Sequence, residues 1–310
     1  MQKAIKFKVL KRDLLGDLHM NWSVYLLFTP VLVYFFIFNY LPMFGIVMAF
    51  QDFSAVRGYF GSKFVGLANF IEFFSGPNFL RIFRNTMAIS FLSLGVGFPL
   101  SIVFALLLNE VGFTPFKKAI QTISYLPYFI SAVVVCGLVI DFVSSNGIIT
   151  NLLVFFGFPR QNFLSDPKYF WFINLAADVW QTLGYGSIIY IASISGVNHE
   201  LYEAAAIDGA SRLGRVWHVT LPALLPVIVT MLILRCGMIM NVGQDKILLL
   251  YNPSIYETAD VISTHVVRMG IERMQYGYSA AVGLFNSVVG LFMLVVSNFV
   301  SRKLTEHSVF

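Results

Sequence analysis

The chain has 16 acidic and 21 basic residues in 310, so the polar groups that interrupt its apolar runs are conspicuous. A hydrogen-bonding or ionisable side chain in such a run is retained for a function or for a partner. Asn174, Asp178, Gln181 and Tyr185 follow a 4-3-4 spacing, which puts all four on one face of a helix. Arg235 interrupts the next run about 13 residues beyond Pro222, or about 20 Å along a helix rising about 1.5 Å per residue. Asp178 lies at a similar depth in its own run. Two readings stand together: these groups line a polar path, or Asp178 and Arg235 neutralise each other between neighbouring helices, removing much of the cost of an unpaired buried charge. Gln181, Tyr185 and Asn286 are neutral and suit a polar solute without desolvating a charge.

No arrangement for catalysis is visible, and no catalytic residue is assigned. His19, His199, His218, His265 and His307 fall outside the apolar runs and lack the spacing of a metal site, so no metal ligand is assigned. Cys136 and Cys236 lie inside runs and give no support for a disulfide framework. No Gly-x-x-x-x-Gly-Lys-Ser/Thr occurs, so the phosphate cradle for ATP is not encoded here. If ATP drives this protein, its ATPase is a separate polypeptide.

A second polar segment, residues 198–219, separates two apolar runs yet has the composition of a folded helix. Asn198 is suited to cap its start, and Glu200 places an acid in the first turn, where the helix dipole favours one. Ala204, Ala205 and Ala206 favour helix and present a smooth face. Gly209 stops the helix at little cost, because glycine tolerates the left-handed conformation. Arg212 to His218 resumes a basic helical stretch, and Thr220 with Pro222 marks the start of the next run.

The elements that position these residues are membrane spans. Composition is 57% hydrophobic and 12% charged, which excludes a soluble domain of ordinary surface chemistry. Runs of about 20 residues, enough to cross a bilayer, occur at Val24 to Phe50, Thr86 to Leu108, Ile120 to Val143, Trp171 to Ile194, Leu221 to Val242 and Ala280 to Val300. The expectation is an all-α membrane protein of six transmembrane helices, with both termini on one side. Lys3 to Arg12, Lys117, Lys118, Arg212, Arg215, Arg302 and Lys303 then share a face, which the positive-inside rule makes cytoplasmic. The opposite loops also carry bases, Lys246 and Arg268 among them, but they are longer and weigh less. In the last of these loops, Ile255 to Met269 reads as an amphipathic helix resting on the membrane or receiving an extracellular protein. The net charge of +5 is spread among loops, which fits membrane lipid at the inner face and argues against nucleic acid.

Tyr202-Glu203-Ala-Ala-Ala-Ile-Asp208-Gly209-Ala210, followed by Trp217 and Leu221-Pro222, resembles the ATPase-docking loop of bacterial ABC importer permeases, carbohydrate branch. Leu126-Pro127, Leu183-Gly184-Tyr185, Tyr190-Ile191-Ala192 and Ala259-Asp260-Val261-Ile262 resemble the subgroup handling oligosaccharides cut from larger polysaccharides or glycans. The resemblance implies a type I ABC importer transmembrane-domain fold in a bacterial cytoplasmic membrane. It implies an oligosaccharide substrate, a second homologous permease, two ATPase subunits carrying ATP and Mg, and an extracellular solute-binding protein. Glu203, Ala204, Ala205, Asp208, Gly209, Arg212, Leu221 and Pro222 would couple to the ATPase, while Asn174, Asp178, Gln181, Tyr185, Arg235 and Asn286 would line the sugar path. Trp171, Trp180 and Tyr190 are further groups able to stack on sugar rings. The expected organisation is a basic segment 1–21, a permease domain 22–302 and a tail 303–310. An ion- or proton-coupled secondary transporter is the alternative, but it leaves the 198–219 loop without a role.

Overall fold

The computed structural model describes residues 14–305. The basic cluster Lys3 to Arg12 and His307 lie outside the described residues. A short helix α1 (Leu14–Met20) precedes α2 (Trp22–Phe50), and a two-residue hairpin, β1 (Gln51–Asp52) against β2 (Lys63–Phe64), leads to α3 (Ala68–Ser75) and α4 (Phe79–Glu110). Next come α5 (Thr114–Tyr125), α6 (Ala132–Val143), α7 (Ile148–Phe155), α8 (Pro167–Ser195) and α9 (His199–Ile207). The chain continues through α10 (Arg212–Gly237), α11 (Gln244–Leu250), α12 (Tyr256–Ala259) and α13 (Ile262–Val267) to α14 (Tyr276–Thr305).

Among the described residues, five segments are long and apolar enough to cross a membrane: α2, α4, the α6–α7 pair, α10 and α14. The span expected at Trp171 to Ile194 is present as α8, 29 residues long, but Asn174, Asp178 and Gln181 leave it less apolar than those five. Asp166 caps its start by accepting the Lys168 N–H at 3.0 Å, and Pro167 occupies the first position, where its missing N–H costs nothing.

The run expected at Ile120 to Val143 is not one helix. It divides into α5, a 3-10 turn at Leu126–Phe129 and α6, with Ile130 and Ser131 extended between them. Pro127 and the capping Ser131 impose the break, and Gln181 on α8 donates to the part-buried Ile130 carbonyl at 3.0 Å. Irregular backbone at membrane depth persists where the protein satisfies its polar groups. Nor does the next span begin at Thr220 and Pro222. Ser211 caps α10, and the helix passes through a π-turn at Val216–Thr220 before reaching Leu221 and Pro222. That turn rearranges the hydrogen-bond ladder just where proline removes a donor.

The largest departure concerns residues 238–272. An amphipathic helix at Ile255 to Met269 is replaced by a 3-10 turn, the short α12 and α13, and a π-turn at Arg268–Glu272. Ala259 to His265 are buried inside the bundle, so the segment does not rest on its surface. Asp260 and Val261 are extended, which breaks the helix and turns the Asp260 carboxylate inward. The reason is depth. Gly237, the last residue of α10, packs against Gly290, which lies about 21 Å into α14 at about 1.5 Å per residue. α10 therefore stops midway along its neighbour, and residues 238–272 fill the other half of the bundle.

The core follows this division. Ala105, Tyr190, Ile194 and Leu224 pack at the end that carries α9. Phe170, Val242, Ile247, Leu250, Ile255 and Val261 pack in the opposite half. Phe73, Ile82, Ile239, Met240, Ile262 and Val282 join α3, α4 and α14 to the inserted segment.

Candidate functional site

Residues 198–211 project from the bundle as a helix and a stop. The Asn198 side chain accepts the Glu200 N–H at 3.0 Å, as its residue type predicts. At the other end Gly209 is left-handed, with φ of 80°. The Gly209 N–H donates to the Ala206 carbonyl at 3.1 Å and the Ala210 N–H to the Ala205 carbonyl at 2.9 Å, which is the paired closure of a Schellman stop. Glu203, Ala204, Asp208, Gly209, Arg212 and Pro222 are exposed, whereas Ala205 and Leu221 are half-buried. Leu201, Ile207, Leu213 and Trp217 are also exposed and give this polar loop an apolar surface. Tyr202 and Thr220 share a hydroxyl hydrogen bond at 3.0 Å, so α9 is fastened to the root of α10. From Thr220 the helix continues through Pro226 to Gly237 at the middle of the bundle.

At that midpoint lies a cavity of about 210 Å³, lined from α4 by Ile89, Ser90 and Ser93, from α8 by Trp171, Asn174 and Asp178, and by Arg235, Asn241 and Lys246. Three of the six expected path residues, Asn174, Asp178 and Arg235, meet there. Gln181 is occupied at the helix break, Tyr185 stacks on Tyr128 with ring centres 3.7 Å apart, and Asn286 donates to Asn241 at 3.0 Å. Trp171 donates its ring N–H to the Thr258 carbonyl at 2.8 Å, while Tyr190 is buried in the core and Trp180 is exposed outside the cavity.

The proposed partner of Asp178 needs correction. Its carboxylate accepts from the Lys246 ammonium at 2.7 Å, and Arg235 forms no ion pair among the described residues. Lys246 belongs to α11, which Gly243 starts in a left-handed conformation and which folds back into the bundle. Sequence reading placed Lys246 among loop charges. The one signal available was the apolar run Ile247 to Leu250 that follows it; the residues before it, Asn241 and Gly243 to Asp245, read as a polar loop.

A second polar cluster, also missed, locks the inserted segment. Asp260 has 0% side-chain exposure and accepts from Arg268 at 2.7 Å, Arg81 at 3.3 Å and Thr264 at 3.1 Å. Asn85 donates to the carbonyls of Asp260 and Glu257, and the Ile262 N–H donates to Thr86. Arg268 lies over the Tyr256 ring. Burial pushes the neighbouring His265 imidazole down to about 4; Asp260 pulls it upward, and Arg268, Arg273 and Arg81 push it further down. His265 is thereby held neutral, sharing a hydrogen bond with Tyr278 at 3.0 Å.

Residues 97–306 match the family described as the binding-protein-dependent transport system inner membrane component. A Bacillus subtilis protein, the polygalacturonan/rhamnogalacturonan transport system permease YteP, is 40% identical over 99% of this chain and 96% of its own length. LplB of the same organism is 39% identical over 97% of this chain and 92% of its own. A chain from the crystal structure of a bacterial alginate ABC transporter, in complex with a periplasmic protein bound to an alginate pentasaccharide, superposes with a TM-score of 0.87 at 41% identity, covering 96% of this chain and 99% of that one.

Proposed function

The chain belongs to the binding-protein-dependent transport system inner membrane components, and on that premise we propose that it is one permease subunit of an ATP-driven oligosaccharide importer. It works by alternating access beside a second, homologous permease, and two separate ATPase subunits carry the ATP and Mg. An extracellular solute-binding protein delivers the sugar. α8 counts as a sixth span in this reading, both termini are cytoplasmic, and the protein sits in the bacterial cytoplasmic membrane.

The observation that carries the proposal is α9, a capped and Schellman-stopped helix standing clear of the bundle with exposed apolar residues around Glu203. Such a surface has no use in an isolated chain. Seated in a cleft of the ATPase, it would transmit closure through Tyr202 and Thr220 into α10. The 210 Å³ cavity is below the ~300–1,000 Å³ of typical ligand sites, in keeping with a path whose other wall is the second permease.

The test is ATP-dependent uptake by reconstituted vesicles with and without the ATPase subunits. Uptake should vanish when they are omitted. Glu203→Lys should leave the complex assembled but lower the sugar imported per ATP hydrolysed by about tenfold; an unaltered ratio would remove Glu203 from the coupling role.

A further inference from the structure

The lining of the central cavity carries one carboxylate, Asp178, and two bases, Arg235 and Lys246. Lys246 already neutralises Asp178 at 2.7 Å. Arg235 lines the same space, is exposed on this chain, and has no carboxylate partner among the described residues. Its depth is fixed by its own helix: Gly237, two residues on, faces Gly290 at the middle of α14. A guanidinium stays charged at any pH the protein meets, and at mid-bundle depth it cannot be left facing hydrocarbon. It therefore faces the polar path, and no carboxylate among the described residues of this chain balances its charge.

A neutral sugar would leave that charge unbalanced, whereas a carboxylate would balance it. A planar guanidinium fork matches the two oxygens of a carboxylate, and such pairs are stronger than neutral hydrogen bonds. Asn174, Ser90, Ser93 and Asn241 line the same space with groups able to hold ring hydroxyls. We propose that Arg235 is the carboxylate-receiving residue of the path and that the cargo is an oligosaccharide carrying uronate residues. This rests on the reading of the chain as an oligosaccharide permease. The Asp178–Lys246 pair has a complementary part, for it stops Asp178 from occupying Arg235 and from repelling the incoming anion.

The experiment uses the complete importer in proteoliposomes, with trigalacturonate, trimannuronate, maltotriose and arabinotriose as probes. Wild type should import an acidic trisaccharide in preference to both neutral ones. Arg235→Gln should lower that import about tenfold or more, the loss expected for a hydrogen-bonded charge pair. If Arg235→Gln does not assemble, Arg235→Lys provides the second arm. It keeps the charge without the fork and should raise the half-saturating concentration several-fold. Import of neutral trisaccharides alone would overturn the proposal, as would wild-type kinetics for the acidic one in either variant. Import of none of the four, with the complex intact, would instead remove the oligosaccharide reading beneath it.

Discussion

Replacing Lys246 by Met should expose what the Asp178 ion pair contributes. The two charges are 2.7 Å apart, with side chains 13% and 28% exposed. Unit charges at that separation attract by about 6 kcal/mol at an effective dielectric of about 20, before desolvation is subtracted. Removing one member of a mostly buried pair leaves the other uncompensated, which costs about 3–5 kcal/mol, while replacing both by uncharged groups is often nearly neutral. Some exposure of Asp178 favours the lower figure, so Lys246→Met should destabilise by about 3 kcal/mol. Asp178→Asn together with Lys246→Met should recover most of it, a coupling of about 2 kcal/mol or more. The assay is the thermal midpoint of the purified complex in mild detergent, where about 3 kcal/mol corresponds to a fall of roughly 5–10 °C. The comparison cycle is Asp178→Asn with Arg235→Gln, whose coupling should be clearly smaller, because the two line the same cavity but no ion pair joins them. Additive losses for Asp178 with Lys246, or a coupling of Asp178 with Arg235 as large as that with Lys246, would refute this assignment of partners.

Other expectations rest on single contacts. His265 is held at about 4 in the fold against about 6.5 unfolded. Between those values the unfolded chain binds more protons, so the contribution is fully present above about pH 6.5 and declines as pH falls toward 4; the midpoint should drop between pH 7 and 5, and His265→Gln should flatten that slope. Gly184→Ala would drive its Cβ into the Ser124 backbone carbonyl of α5. This should cost about 1–3 kcal/mol, read as a lower midpoint or reduced recovery of folded complex, and an unchanged midpoint would contradict the close approach. Gly209→Val meets no neighbour within 4 Å but must hold a φ of 80°, at about 1–3 kcal/mol of strain. Import per ATP hydrolysed should fall while the bundle's midpoint is retained, and Gly209→Asn should be milder.

Several features were legible in the sequence because their causes are local. Hydrophobic run length located four of the five apolar spans of the described residues but not the break inside the run at Ile120 to Val143, and the 198–211 helix was readable from an Asn cap, three alanines and a glycine, with each predicted end appearing in the hydrogen bonds. The 4-3-4 spacing placed Asn174 and Asp178 together on one face of α8, though it did not say that Gln181 would be consumed by a break in another helix. What tertiary structure alone decided was depth and pairing. Hydropathy treats residues 243–272 as a polar loop, whereas the early end of α10 opposite Gly290 leaves a half-bundle void that this loop must enter. Lys246 thereby reaches Asp178 from 68 positions away, Asp260 is buried between two arginines, and Arg235 is left without a carboxylate among the described residues. Residue order records which charges the chain possesses; which of them meet depends on how far each backbone segment travels before turning back.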